Sequence, residues 1–247
     1  MITGARRGSG RPLVLLHALG TDHRMWDPVL DRLAAERDVL ALDLPGFGGS
    51  PPLDHGSPAA LAHAITGFLT TRGIQRPHVA GNSLGGWVAL EMAAAGRAAS
   101  VTAIAPAGLW PEPLVPKRSP VRAVAGALLP VLAPLLRTRA GRRVAFAGSA
   151  AWPERIPPDA ALHLVRAYAT SPGFRAANDA MRAGRFTQLD RLAMPVTLAW
   201  PDHDRLVSRP RRLPAGVRSV VLSGCGHLPT WDDPEQVARV LLDGSAA

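Results

Sequence analysis

Short unbroken apolar runs alternate with amphipathic stretches through the first half of the chain. PLVLLHA, DVLALDLPG, PHVAGNS and SVTAIAPAG each pass through consecutive apolar positions into turn-forming residues. A strand with one wet face alternates apolar and polar positions. An unbroken apolar run instead predicts a strand covered on both faces, as in a parallel sheet. Between these runs, residues 26–36, 58–71 and 84–96 place their apolar side chains three or four apart, the period of a helix. Two further buried-strand runs, PVTLAW and SVVLSG, and a helix over about residues 234–242 follow late in the chain. Alternating strand and helix predicts an α/β fold with a mostly parallel sheet flanked by helices.

The middle of the chain breaks this rhythm. Residues 109–187 contain no strand-like run, many prolines, helical patterns and a large share of the aromatics, Trp110, Phe146, Trp152, Tyr168, Phe174 and Phe186 among them. The segment reads as a helical insertion between two strands, so that residues 1–108 and 188–247 form the core and 109–187 a cap. Its most apolar stretch, AVAGALLPVLAPLL (residues 123–136), is too short to span a membrane and is interrupted by Pro130 and Pro134. It is expected to pack within the cap, with part of it facing a ligand. Trp110, Phe146 and Trp152 are candidate pocket walls, with core packing the equal alternative for each.

Composition narrows the class. With 47% hydrophobic and 19% charged residues over 247 positions, the chain reads as an ordinary globular domain with room for an insertion. The formal charge of +9 raises nucleic-acid binding, but Lys117 is the only lysine, the arginines are scattered, and no basic run interleaves with aromatics. Neither nucleic acid nor membrane is an expected partner. Cys225 is the only cysteine, which rules out an intrachain disulfide and reads as a small packed residue. The histidines lack ligand spacing, and Pro51 occupies the third glycine position of a dinucleotide loop in GFGGSP, so no metal or organic cofactor is expected. MITGARRGSGRP has no apolar leader core, which points to the cytoplasm and leaves a processed secreted form open.

The candidate chemistry centres on AGNSLGG. Ser83 falls where a strand run ends and a helical pattern begins, with Gly81 two before it and Gly85 two after. That is the setting of a nucleophile elbow, whose strained turn tolerates no bulk beside the serine. A serine needs an imidazole to take its proton and a carboxylate to hold the imidazole's tautomer. His227 in GCGHLPTWDDPE and Asp204 in WPDHDRLVS each fall in a loop after a strand run, the edge where parallel sheets gather their sites.

HALG, DLPGFGGS, GNSLGG and GCGHLP together make the chain resemble the α/β-hydrolase fold family over nearly its whole length. The resemblance implies a triad of Ser83, Asp204 and His227, oxyanion donors in the backbone N–H groups of Leu19 and Leu84, and a helical cap over 109–187. His17 would then be a hydrogen-bonding support beneath the oxyanion loop. The chain departs from the family pattern in three places. Ala18 follows His17 where glycine is usual, Pro201 stands near the acid with Asp202 as a competing carboxylate, and about ten residues before RPLVLLHA leave room for one edge strand. Residues 19–30, LGTDHRMWDPVL, are locally similar to 3-oxoadipate enol-lactonases. The expected activity is hydrolysis of a small-molecule carboxylic ester or lactone through an acyl-enzyme. A carbon–carbon hydrolase of ring-cleavage dienones, a perhydrolase, a thioesterase and a non-catalytic ligand-binding protein are the alternatives on the same fold.

Overall fold

The computed structural model describes residues 1–115 and 121–246. Seven strands form one sheet: β1 (Gly4–Arg7), β2 (Pro12–Leu16), β3 (Asp38–Leu42), β4 (His78–Asn82), β5 (Ser100–Ile104), β6 (Val196–Pro201) and β7 (Val217–Leu222), in the order β1-β3-β2-β4-β5-β6-β7. All neighbours are parallel except β1, which runs antiparallel to β3 at the edge. The N-terminus thus supplies one edge strand, fixed by Arg6 gripping Asp38 through Nε and Nη2 at 2.8 and 2.7 Å.

The apolar runs work as strands because successive side chains leave opposite faces. Leu13 and Leu15 enter the layer built by α1 (Asp27–Ala34) and α10 (Pro234–Gly244), which contributes Val29, Leu30, Leu33, Val237 and Leu241. Val14 and Leu16 enter the opposite layer, where α2 (Pro58–Thr70) and α3 (Leu84–Ala94) supply Leu61, Ile65, Val88 and Met92. Each fully buried leucine contributes roughly 2–3 kcal/mol of transfer free energy. The run SVVLSG behaves otherwise. As β7 it is the outer edge strand with one neighbour, and Val221 is 47% exposed, because its place in the order leaves it only partly covered.

Among the described residues, five helices lie between β5 and β6: α4 (Val121–Ala127), α5 (Leu129–Arg137), α6 (Arg139–Ala145), α7 (Pro158–Thr170) and α8 (Phe174–Ala183). They sit over loops that follow the strands. Gly173 N–H donates to the Gly46 carbonyl at 2.9 Å, and a Cβ on Gly46 would lie 2.6 Å from Gly173 Cα, so the joint closes only between two glycines. A short α9 (Pro229–Asp232) precedes α10. No helix among the described residues is long and apolar enough to cross a membrane.

Residues 123–136 correct the expectation of cap packing. Only Leu136 of α4 and α5 is buried, while Val124, Leu128, Val131 and Leu135 are 44–59% exposed. The apolar composition asks for burial, but a single helix layer here has an inner side on α7 and nothing described on its outer side.

Candidate active site

Ser83 follows β4 directly and opens α3, with φ 55° and ψ −114°. A positive φ at a non-glycine residue costs of order 1–3 kcal/mol and persists only where surroundings enforce it. Here Ser83 N–H donates to the Ile104 carbonyl at 2.9 Å, and the Ser83 carbonyl accepts from Trp87 and Ala107 N–H at 3.1 Å. The glycines are required sterically. A Cβ at Gly81 would stand 2.2 Å from the Gly85 carbonyl oxygen, and one at Gly85 would stand 2.2 Å from that of Leu16. Although Ser83 holds the N-cap position, its hydroxyl makes no capping bond, so Oγ is left for other work.

His227 and Asp204 are brought together. His227 Nδ1 lies 2.7 Å from Asp204 Oδ2, and both side chains are almost fully buried. Asp204 Oδ1 accepts from the N–H groups of Leu206 at 2.7 Å and Val207 at 3.1 Å, which leaves Oδ2 for the imidazole. The carboxylate accepts the Nδ1 proton and leaves Nε2 as the free acceptor of the ring. Asp202 points elsewhere: its Oδ1 accepts from Gly224 N–H at 2.7 Å and ties the loop before His227 to the end of β6. His203 is exposed and joins the same tie through its N–H, which donates to the Cys225 carbonyl at 2.9 Å. Cys225 is buried, and burial with the nearby carboxylates of Asp232, Asp233 and Asp202 pushes its thiol up to about 12.

The loop after β2 is turned by His17. Leu44 N–H donates to its Nε2 at 2.9 Å, so the ring proton sits on Nδ1 and donates to the Ala18 carbonyl at 2.8 Å. Burial depresses the His17 pKa and keeps this tautomer neutral. Thr21 adds its N–H and Oγ1 to the same carbonyl at 3.2 and 2.8 Å. The Ala18 carbonyl and the Leu19 N–H belong to one trans peptide, so pinning the first inward turns the second outward. Leu84 is the first residue of α3, where backbone N–H groups have no intrahelical acceptor. Ala18 has no positive φ, so a side chain fits where glycine is usual.

The three aromatic candidates separate. Trp110 lines a cleft of about 470 Å³ with Phe186, Leu213 and Arg212, donates Nε1–H to the Gly184 carbonyl at 2.9 Å, and packs edge-on against Trp87. Phe146 is buried in the apolar cluster with Leu136, Ile156 and Leu164. Trp152 is 42% exposed, and its indole N–H is taken by the Gly224 carbonyl at 3.0 Å.

Other residues at this edge escaped the sequence reading. Tyr168 and Phe174 pack edge to face and lie against Gly20 of the loop after β2. Asp232 accepts from Ala151, Trp152 and Gly226 N–H, joining the helical insertion to the His227 loop. Asp22 Oδ2 holds His163 Nε2 at 2.5 Å, while Arg24 donates to His163 Nδ1 at 3.1 Å. Burial raises the Asp22 pKa, but its bonds from His163 and Arg24 N–H outweigh this and hold it below the usual range. Asp43 is held low in the same manner by His23, Thr3 and Gly49. Asp22, His23 and Asp43 converge closely enough to suit a metal ion, yet their facing atoms already satisfy one another and the backbone. The adjoining cavity of about 270 Å³ is lined by Asp22, Asp43, His163, Arg166 and Ser171, without Ser83 or His227. None of these pairs carries a sequence signature, because their members come from distant segments.

The chain is 32% identical over 204 residues to the epoxide hydrolase EphH of Mycobacterium tuberculosis (strain ATCC 25618 / H37Rv), covering 75% of this chain and 93% of that protein. A thermophilic esterase from Thermogutta terrifontis superposes with a TM-score of 0.75 at 24% identity, covering 98% and 92% of the two chains. The enol-lactonase from Burkholderia xenovorans LB400 gives 0.70 at 23% identity, covering 98% and 94%; both likenesses are of fold. The model of the alpha/beta hydrolase family matches residues 13–240. A seven-stranded sheet with one antiparallel edge, a serine elbow after its central strand and a histidine loop after its last strand agree with that match, and the chain belongs to the alpha/beta hydrolase family.

Proposed function

We propose that the protein is a serine hydrolase of carboxylic esters, lactones included, with Ser83 as nucleophile, His227 as base and Asp204 as the residue that orients it. The observation that carries this reading is the 2.7 Å contact of His227 Nδ1 with Asp204 Oδ2 on the sheet edge where Ser83 stands uncapped in its strained turn. Ser83 Oγ attacks the acyl carbonyl while His227 Nε2 takes its proton. The tetrahedral oxyanion is met by Leu84 and Leu19 N–H, each donor of this kind contributing roughly 3 kcal/mol. His227 returns the proton to the leaving alkoxide, and the alcohol departs. His227 Nε2 then takes a proton from water, the resulting hydroxide attacks the acyl carbon, and on collapse the Ser83 Oγ–acyl bond breaks, His227 returns the proton to Oγ and the acid departs.

The nucleophile's chemistry argues against transferring the relative's epoxide activity. A serine oxygen attacking an epoxide carbon would leave an ether on Ser83, which water and an imidazole do not cleave. Attack on an acyl carbon leaves an ester, which they do. Residues 109–187 are read as a lid over this edge, anchored by Asp22–His163 and Asp232. The test is turnover of p-nitrophenyl esters of increasing acyl length by the parent and Ser83→Ala. The expected result is multiple turnover by the parent and a loss of about four to six orders of magnitude in the variant. Equal rates would remove Ser83 from the mechanism, and faster turnover of an epoxide than of any ester or lactone would overturn the substrate class.

A further inference from the structure

We propose that the outer face of α4 and α5 is a peripheral docking surface for an anionic lipid bilayer. Val124, Leu128, Val131 and Leu135 recur four, three and four residues apart, so they form one stripe, and all are about half exposed. The opposite side of α5 is apolar too: Leu132 and Leu136 pack into the cluster with Ala161 and Leu164 of α7. A helix apolar on every side belongs where every side is covered, and here only the inner side is. No polar side chain occurs from Ala123 to Leu136. The stripe exposes on the order of 400 Å² of apolar surface, the size of the largest apolar patch on a typical monomer, which is often a functional one.

Charge selects the occupant. From Pro113 to Pro153 the sequence has seven basic residues and no acidic one. Arg142 is buried on backbone carbonyls, Arg122 is turned inward onto the Tyr168 and Ser171 carbonyls, and Arg143 is paired with Glu154. Arg137 and Arg139 are exposed immediately past the end of the stripe, with no acidic partner among the described residues. Half-exposed aliphatic side chains followed by free guanidinium groups suit insertion beneath an anionic headgroup layer. A second copy of the chain would bring the same unbalanced positive charge onto this face, which disfavours self-association. The stretch lacks the length to span, so the surface is one that lies on a bilayer, and the expectation of no membrane partner is set aside for peripheral contact.

This inference is independent of the chemistry at Ser83. The test is co-sedimentation of the full chain with vesicles of phosphatidylcholine alone or of phosphatidylcholine and phosphatidylglycerol in equal parts. The parent is expected to bind the mixed vesicles at least about tenfold more tightly, with affinity falling as salt rises. The double variant Val131→Asp/Leu135→Asp should abolish binding, and Arg137→Glu/Arg139→Glu should weaken it by about tenfold or more at about 1 kcal/mol per charge. Both pairs are at exposed positions, so thermal melting and hydrolysis of a soluble short ester should be unchanged. If the aspartate pair misfolds, the charge-reversal pair decides alone. Equal binding to both vesicle types, binding to neither, or a dimer dissociated by the aspartate pair with no vesicle binding each overturns the proposal.

Discussion

Asp204→Asn tests the site more sharply than removal of the serine, because the outcome depends on a single proton. The carboxylate divides its work between two oxygens: Oδ1 accepts from Leu206 and Val207 N–H, and Oδ2 faces His227 Nδ1. An asparagine in this setting can orient in one way only. Two backbone N–H groups demand its carbonyl oxygen, so its NH2 must face the imidazole. That group donates to Nδ1 and forces the ring proton onto Nε2, the atom that has to accept the proton of Ser83. The geometry survives while the tautomer is reversed. In serine hydrolases this loss is about 10⁴ in kcat, or about 5.5 kcal/mol at 1.36 kcal/mol per decade.

Asp202→Asn is the matched control two residues away. Asp202 is exposed, and its Oδ1 accepts one N–H, from Gly224, which an amide oxygen accepts equally well. Its kcat should stay within about threefold of the parent, with stability within about 1 kcal/mol. The assay is steady-state hydrolysis of p-nitrophenyl butyrate with kcat and KM separated, together with a thermal melt of each protein. Because Asp204 does not touch the acyl group, KM should hold while kcat falls. A D204N enzyme within tenfold of the parent, or a D202N enzyme that falls as far as D204N, refutes the assignment of the acid.

Two further outcomes follow from packing and charge. Gly85→Ala places a Cβ 2.2 Å from the Leu16 carbonyl oxygen and 2.6 Å from that of His17, both backbone, whereas Gly148→Ala meets nothing within 4 Å. Urea melting should show G85A destabilised by about 3 kcal/mol or failing to fold and G148A nearly unchanged; a G85A loss under about 1 kcal/mol contradicts the elbow packing. His163→Leu strips Asp22 of its imidazole partner and leaves a buried carboxylate on Arg24 N–H alone. Since the folded pKa of Asp22 is depressed, the stability it contributes is present above its unfolded value near 3.8 and fades as pH falls toward the folded value. The gap between parent and variant should therefore be about 1–3 kcal/mol at pH 7 and narrow below pH 4; a gap that widens in acid assigns the effect to packing instead.

What the sequence makes legible here is what lies close along the chain. The Ser83 elbow combines an apolar run, glycines at fixed offsets and a helix start within nine residues, and each part constrains the others locally. The choice between Asp202 and Asp204 is a different kind of question. Both sit in one loop with the same side chain, and only the partners separate them: Leu206 and Val207 N–H behind Asp204, Gly224 N–H on Asp202. Asp22 and His163 stand 141 residues apart, so no local pattern announces their pairing. Hydropathy misleads for the same reason. SVVLSG and residues 123–136 have the composition of buried segments, yet one is the sheet's outer strand and the other lines the outside of a single helix layer. Composition states which environment a side chain favours, whereas topology decides which neighbours it receives. A short edge strand relieves the mismatch by putting polar residues at exposed positions, as β7 does with Arg218 and Ser219 between Val217 and Val220. The outer stripe of α4 and α5 has no polar residue with which to do so, and that difference is why it, and not β7, calls for a partner.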